Sequence, residues 1–304
     1  MVLLAALGFV LGFALNHGTI CTVIATSELV SEKRPARFIA LLECALWAAL
    51  AYAIVDVAPT MRQGWSPLAH LVPAAILFGI GAYVNGACVF GSVAHFGNGD
   101  VAYLCALVAA SAVSHVEALF DVVPNRPAAS AALSHGPELV GIALLAVVAL
   151  RFIVSMGSEP NFRRLTFAMG AIGICFTMLT VLHPEYSIVA SVRTIASRPA
   201  ETAVISFCLL GGSLASGTHK HRRFMLKWPT AESVARRTLG GFLMGLGALL
   251  IPGSNDTVLL TGFPMGAWQA ALVYLLLVTT LVALMLKFGS LAQSSIEASK
   301  PTTA

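Results

Sequence analysis

The chain has 304 residues, of which 58% are hydrophobic and only 11% are charged, and its mean hydropathy is +0.85. Soluble globular proteins carry roughly 25% charged residues, so this composition excludes an ordinary soluble domain and indicates a chain embedded in a lipid bilayer. The net charge of +4 follows from the placement of Lys and Arg between apolar segments, and a nucleic-acid partner is not needed to explain it.

Nine apolar segments, each long enough to cross about 30 Å of hydrocarbon, follow one another along the chain. They lie near residues 2–28, 36–57, 67–93, 101–122, 137–155, 165–183, 200–217, 236–252 and 266–287. The N-terminal segment lacks the basic start of a signal peptide, so we expect it to be retained as a span. The sequence therefore predicts an all-α polytopic membrane protein with about nine transmembrane helices in a single domain, residues 1–304.

The distribution of basic residues predicts how the chain is oriented. If the N-terminus lies outside, 14 of the 18 Lys and Arg residues fall in cytoplasmic segments, as the positive-inside rule requires. The cytoplasmic residues are Lys33, Arg34, Arg37, Arg151, Arg163, Arg164, Lys220, Arg222, Arg223, Lys227, Arg236, Arg237, Lys287 and Lys300. The external residues are Arg62, Arg126, Arg193 and Arg198. We therefore expect the C-terminus to lie in the cytoplasm.

Two glycine-rich stretches inside apolar segments align with each other without a gap. The aligned pairs are Gly79 with Gly245, Gly81 with Gly247, Ala87 with Gly253, and Cys88 with Ser254. Glycine spacing alone is typical of close helix packing, but Asn85 and Pro252 are poor residues for the interior of a lipid-facing helix. We therefore expect both helices to be interrupted, at Asn85-Gly86 and at Gly253. Transporters use such breaks to aim helix ends at a substrate.

A second, shorter match supports an internal repeat. Leu15 is followed by Gly18-Thr19, and Leu214 is followed at the same spacing by Gly217-Thr218. In both halves the Gly-Thr element precedes an interrupted helix, which predicts one repeat at about 1–122 and another at about 200–288.

The ends of such helices are suited to a small anion, because free N–H groups and the helix dipole both favour negative charge. His17, beside Gly18, is expected either to line an entrance or to cap a helix. Glu43, an ionisable residue inside a span, has two interpretations that the sequence leaves open. One is a proton-coupling or gating group, and the other is a carboxyl satisfied by a neighbouring helix.

The segment from Gly79 to Asp100, with Gly86-Ala87-Cys88-Val89-Phe90-Gly91 and Gly97-Asn98-Gly99-Asp100, resembles the YeeE/YedE family of membrane proteins, the sulphur transport family. The segment Asn16 to Cys21 is similar to that family's first cysteine element. The resemblance implies an hourglass-like bundle with interrupted or re-entrant short helices at its waist. It also implies uptake of thiosulfate or a related anion across the bacterial inner membrane, relayed by cysteine thiols. A cytoplasmic sulphur-carrier protein is a further partner that the resemblance suggests.

Carried over by position, Cys21 and Cys88 are two of the family's three relay cysteines, and Ser254 stands where the third would be. That substitution leaves the substrate open between thiosulfate and a harder oxyanion such as sulfite or sulfate. The candidate substrate-binding residues are Cys21, Cys88, Ser254, Gly86, Gly253, His17 and Asn85.

The leading hypothesis is thus a transporter for a small sulphur-containing anion. The alternative is a non-transport membrane protein that holds sulphur as a persulfide and hands it to a cytoplasmic partner. An enzyme is disfavoured, because the sequence has no paired-carboxylate site and no phosphate-binding loop. None of the six cysteines has CxxC spacing, so we expect no metal and no other cofactor.

Overall fold

The computed structural model describes residues 1–61, 64–120, 129–130, 137–155, 162–184, 186–189, 198–222 and 226–289. The first helices are α1 (Val2–Gly18), α2 (Thr22–Ser27), which continues as a π-helical turn (Glu28–Glu32), α3 (Ala36–Val55), α4 (Leu68–Asn85), α5 (Val89–Gly97) and α6 (Ala102–Phe120). The later ones are α7 (Pro137–Ser155), α8 (Phe162–Leu182), α9 (Pro199–His221), α10 (Ala231–Leu250), α11 (Asn255–Thr257), which continues as a π-helical turn (Val258–Gly262), and α12 (Trp268–Phe288). Strands β1 (Thr60–Met61) and β2 (Ala129–Ser130) pair antiparallel, with Thr60 opposite Ser130.

The predicted all-α membrane architecture is confirmed. Within the described residues, six helical stretches are long and apolar enough to cross a membrane: Val2–Glu32, Ala36–Val55, Leu68–Gly97, Phe162–Leu182, Pro199–Lys220 and Trp268–Phe288. The bent pair formed by α10 and Asn255–Gly262 is either a seventh, broken span or a re-entrant loop. Helices α6 and α7 coincide with the fourth and fifth predicted spans, and the total of nine stays a prediction.

The two aligned glycine stretches bring α4 and α10 into backbone contact. A Cβ added at Gly81 would lie 2.6 Å from the main-chain nitrogen of Met244, and one added at Gly247 would lie 2.7 Å from the carbonyl oxygen of Ala74. Both distances are too short for a real side chain. These glycines are therefore required for helix packing, which is a separate role from the breaks that follow them.

Both predicted interruptions are present. Helix α4 ends at Asn85, Gly86 takes a left-handed conformation with φ +73°, and α5 begins at Val89. Helix α10 ends at Leu250, Gly253 has φ +94°, and the chain resumes helix at Asn255 after a bend of 51°. Another break separates α1 from α2. Numbered in chain order, the first break lies between α1 and α2, the second between α4 and α5, and the third between α10 and α11. The counterpart of the first break in the second half, Gly217-Thr218, lies inside the uninterrupted helix α9.

A buried ion pair joins α3, α7 and α8. Glu43 and Arg151 are both fully buried, and the Arg151 guanidinium donates to the Glu43 carboxylate. Arg151 also donates to the carbonyl oxygen of Phe162 at 3.2 Å and stacks over its ring at 4.4 Å from the centroid. Arg151 is therefore buried within the helical bundle, and the side of the membrane on which its segment lies stays a prediction. The Glu43 carboxylate is thus satisfied by a counter-charge, and that partner, Arg151, lies on a different helix.

Several residues used for the orientation lie outside the described residues, namely Arg62, Arg126, Arg193, Arg223 and Lys300. The predicted end of the first repeat, at residue 122, also lies outside them. The orientation and the repeat boundaries therefore remain predictions.

The first testable prediction concerns the buried pair. Glu43→Gln leaves a buried guanidinium without its counter-charge, and we expect it to lower the free energy of unfolding by about 3–5 kcal/mol. Glu43→Gln combined with Arg151→Met removes both charges and should recover most of that loss. The measurement is denaturant unfolding of purified protein in detergent.

The matched control for this prediction is Glu32→Gln, which breaks an exposed ion pair to Arg34 and should leave stability unchanged within error. If the loss of stability in the double variant equals the sum of the losses caused by Glu43→Gln alone and Arg151→Met alone, Glu43 and Arg151 are not energetically coupled. If the stable double variant transports normally, Glu43 has no proton-coupling role.

Candidate functional site

Two cysteines occupy the N-cap positions of the short helices that follow the first two breaks. Cys21 precedes α2 and Cys88 precedes α5, both with extended backbone conformations. The main-chain N–H of Cys88 donates to Sγ of Cys21 at 3.3 Å, and the main-chain N–H of Thr22 donates to Sγ of Cys88 at 3.4 Å. Each sulphur therefore accepts an N–H from the start of the other helix. We call this arrangement, formed by Cys21, Cys88 and Thr22, the thiol junction.

The thiol junction explains how the two helix starts are satisfied in an apolar interior. The first N–H groups of a helix have no partner within the helix and need an acceptor. Cys21 and Cys88 are 1% and 0% exposed, so bulk water does not fill that role. The two helix N-termini also bring the positive ends of their dipoles to one place, which favours negative charge there.

Gly91 makes the close approach of the two cysteines possible. A Cβ at this position would lie 2.9 Å from Cβ of Cys21 and still closer to its sulphur atom. The glycine that follows Cys88 by three residues in the sequence motif thus has a steric function. It allows α5 to lie against the Cys21 thiol.

Ser254 occupies the equivalent N-cap position after the third break and is fully buried. Its hydroxyl donates to the Asp256 carboxylate. Asp256 also accepts the main-chain N–H of Ile188 at 2.9 Å and the hydroxyl of Ser187 at 3.1 Å, which ties the resumed helix to residues 186–189. The Ser254 proton is therefore already engaged in an intramolecular bond.

Sequence reasoning overlooked Asn255, the first helical residue after this break. Its side chain is 4% exposed, and within the described residues neither its amide nitrogen nor its amide oxygen has a hydrogen-bond partner. It approaches the Cys88 thiol, which links the third break to the thiol junction. The sequence feature that points to Asn255 is a polar amide side chain directly after Pro252-Gly253-Ser254, at the start of a helix inside an apolar segment.

The remaining candidate residues at the second and third breaks, Asn85, Gly86 and Gly253, have structural roles. Asn85 donates through its amide nitrogen to the carbonyl oxygen of Ala87 at 2.7 Å and to the Ser92 hydroxyl at 2.8 Å, so it holds the turn between α4 and α5. Gly86 and Gly253 supply the left-handed backbone that the two turns require. These residues shape the breaks.

His17 lies in the wall of a cavity of about 520 Å³ beside the first break. The cavity, which we call the basic vestibule, is lined by His17, Gly18, Thr19, Glu28, Lys33, Arg34, Pro35, Ala36, Arg37, Val154, Arg164, Leu165 and Lys220. Arg164 donates to the carbonyl oxygen of His17 at 2.6 and 3.0 Å, and Arg37 pairs with Glu28 at 3.0 Å. Five cationic side chains against one carboxylate give the vestibule a positive character.

The chemistry available at these positions is anion binding. The site combines two helix N-termini, two thiols that can donate S–H, and an unpartnered amide. Among the described residues, no three His, Cys, Asp or Glu side chains lie close enough together to hold a metal ion.

Apolar spanning helices, breaks inside three of the apolar stretches and a buried polar junction at their ends define a multi-pass membrane protein of the transporter class. A family model described as sulphur transport matches the chain twice, over residues 17–157 and 129–283. The chain therefore belongs to the sulphur transport family, also called the YeeE/YedE family. No curated protein sequence matches the chain. Family membership and the spanning helices together support a membrane transporter for sulphur compounds.

The thiol junction yields a prediction for Gly91. Gly91→Ala forces a methyl group against Cys21, and we expect overpacking to lower stability by about 1–3 kcal/mol and to separate the two cysteines. Gly211→Ala is the matched control, because nothing lies within 4 Å of the added Cβ in α9 and alanine favours the helix. Thermal unfolding in detergent compares the two. Equal stability for both variants would show that the Cys21–Gly91 contact is not tight.

Proposed function

We propose that the protein carries a small sulphur-containing anion, thiosulfate or a related oxyanion, across the bacterial inner membrane through the thiol junction. The observation that carries this proposal is the reciprocal contact in which Cys21 and Cys88 each cap the start of the other helix. This arrangement gathers two helix N-termini and two thiols at one buried point between membrane-spanning segments.

The physical requirement is to replace the water that a hydrophilic anion loses on entering the membrane. Main-chain N–H groups at helix starts supply directed donors, and the helix dipoles add favourable potential without a net charge. In their S–H form the thiols add donors, and their soft sulphur atoms match the terminal sulphur of thiosulfate. Because these interactions are individually modest, the anion can bind at the junction and still leave it.

The basic vestibule fits a cytoplasmic mouth for this path. If the N-terminus is outside, as the distribution of basic residues favours, the vestibule faces the cytoplasm. Its cationic side chains, among them Arg37, Arg164 and Lys220, raise the local concentration of anions. A cytoplasmic sulphur-carrier protein, which the family resemblance suggests, would receive the anion there.

The third break contributes through Asn255 rather than through the Ser254 hydroxyl. The buried Asn255 amide lies beside the Cys88 thiol, whereas the Ser254 proton is bound by Asp256. The break itself supports an internal repeat at about 1–122 and 200–288, as does the fact that the family model matches the chain twice, over the overlapping ranges 17–157 and 129–283. The alternative function, a persulfide holder that hands sulphur to a partner, is opposed by the burial of both thiols.

Cys88 provides the direct test of transport through the junction. Cys88→Ala removes an S–H donor and an N–H acceptor, and we expect uptake of radiolabelled thiosulfate into proteoliposomes to fall at least tenfold. Cys88→Ser should retain partial uptake, because a hydroxyl both donates and accepts. Cys208→Ala is the control, since Cys208 lies in α9 and is partly exposed, and it should transport like the parent protein. Normal uptake by Cys88→Ala would contradict the proposal.

Asn255 and Ser254 give a paired prediction. Asn255→Asp places a negative charge beside Cys88 at nearly unchanged volume, and we expect it to abolish anion uptake through repulsion. Ser254→Cys introduces the family's thiol, and we expect thiosulfate uptake to rise relative to sulfate uptake. Initial rates measured at matched protein density in proteoliposomes provide the comparison. An Asn255→Asp variant that transports normally would place Asn255 away from the path.

A further inference from the structure

A buried arginine lies beside the second helix break, near the Asp100 carboxylate but without an ion-pair contact to it among the described residues. Arg237, in α10, is only 4% exposed. Within the described residues its Nε and Nη1 atoms have no hydrogen-bond acceptor. Asp100, at the start of α6, accepts the main-chain N–H of Ala102 at 3.2 Å, and no ion pair joins it to Arg237 in the described part of the chain. An unpaired buried cation is costly and marks a candidate functional position in a membrane protein.

Two other arginines near the site have acceptors for their guanidinium groups. Arg151 pairs with Glu43, and Arg164 donates twice to the carbonyl oxygen of His17. Arg237 has two buried guanidinium nitrogens without an acceptor among the described residues, Nε and Nη1, whereas Arg37 and Arg236 each have one.

The aromatic ring of Tyr103 supports the guanidinium group of Arg237. The guanidinium carbon lies 4.0 Å from the ring centroid, and the ring also stacks on His95 at 4.5 Å between centroids. Tyr103 is fully buried, and its hydroxyl has no hydrogen-bond partner within the described residues. Two unpartnered donors, a guanidinium and a phenol, thus lie next to each other in the interior.

Gly86 connects these donors to the thiol junction. A Cβ at Gly86 would lie 2.9 Å from Nη1 of Arg237 and 3.8 Å from the Tyr103 hydroxyl oxygen. Nη1 of Arg237 therefore packs against Gly86, two residues before Cys88, and the Tyr103 hydroxyl lies next to it. Because any side chain at position 86 would collide with the guanidinium group, Gly86 allows both donors to lie this close to the thiol junction.

We propose that Arg237 and Tyr103 form a second anion subsite that binds the oxyanion end of the transported molecule. This inference rests on the proposed function and extends it from the thiols to the opposite end of the substrate. A tetrahedral sulphur oxyanion presents two or more oxygens that share negative charge, and a guanidinium group matches them with a planar pair of N–H donors. The phenol adds a neutral donor. The thiols bind the sulphur end of the substrate, and Arg237 and Tyr103 bind its oxyanion end. Together they recognise a molecule that carries both ends.

Tyr103→Phe is the sharpest test, because it removes only a hydroxyl that has no partner. A purely structural Tyr103 would lose nothing, and stability would stay equal or rise. The subsite instead predicts a half-saturation concentration for thiosulfate uptake about tenfold higher, with an unchanged thermal unfolding midpoint. Arg237→Gln should raise the half-saturation concentration further. Arg236→Gln removes the same charge from the neighbouring position and should stay within about twofold of the parent protein.

The outcomes separate this inference from the proposed function. If the parent protein takes up thiosulfate and Cys88→Ala does not, while Tyr103→Phe and Arg237→Gln show unchanged half-saturation, the second subsite is refuted and the thiol path stands. If the parent protein takes up no thiosulfate or sulfate, the proposed function itself fails. If the Arg237→Gln variant does not insert into membranes, the half-saturation concentration of Tyr103→Phe alone tests the second subsite. An effect of Tyr103→Phe that appears only with anionic lipid, and not in phosphatidylcholine vesicles, would assign the subsite to a lipid headgroup and overturn the proposal.

Discussion

An α-helix that stops inside a bilayer leaves main-chain N–H and C=O groups without partners, and the site depends on how this chain satisfies them. At the first two breaks, cysteine sulphurs accept the N–H groups of Cys88 and Thr22. Side-chain donors satisfy the carbonyls: Arg164 at His17, Asn85 at Ala87, and Ser66 at Leu250. Each break is thus closed by side-chain hydrogen bonds, which hold a polar centre in place among apolar helices.

The choice of sulphur as the acceptor has a functional consequence. Sulphur accepts hydrogen bonds weakly, so the N–H groups of the thiol junction are satisfied without being strongly engaged. An incoming anion offers a better acceptor, and the thiols then become donors to it. In the proposed function, the groups that stabilise the empty site are therefore the same ones that bind the substrate. A carboxylate cap such as Asp256 would engage the N–H groups more strongly and repel an anion, and Asp256 is instead bound to Ser187 and Ile188.

The breaks could be predicted from the sequence because their signals are local. Asn85-Gly86 and Pro252-Gly253 disfavour a continuous helix regardless of the surrounding fold. The contacts across the site could not be predicted, because they join residues far apart in sequence, as in the contacts of Cys21 with Cys88 and of Glu43 with Arg151. The positive-inside rule accounts for Arg237 as a cytoplasmic charge and gives no sign of its burial. Asn255 directly follows Ser254, the position of the family's third cysteine, and nothing in the local sequence indicates that its side chain lies near Cys88.

The central claim is that Cys21 and Cys88 donate their S–H groups to the transported anion. The direct measurement is infrared spectroscopy of the S–H stretching band, in a variant where Cys44, Cys105, Cys175 and Cys208 are replaced by alanine. If the claim is correct, thiosulfate shifts the band to lower frequency as the S–H groups bond to the anion, and chloride does not. Cys88→Ala in this background should lose most of the shift. An S–H band that thiosulfate leaves unchanged, in a variant that still takes it up, would contradict the claim.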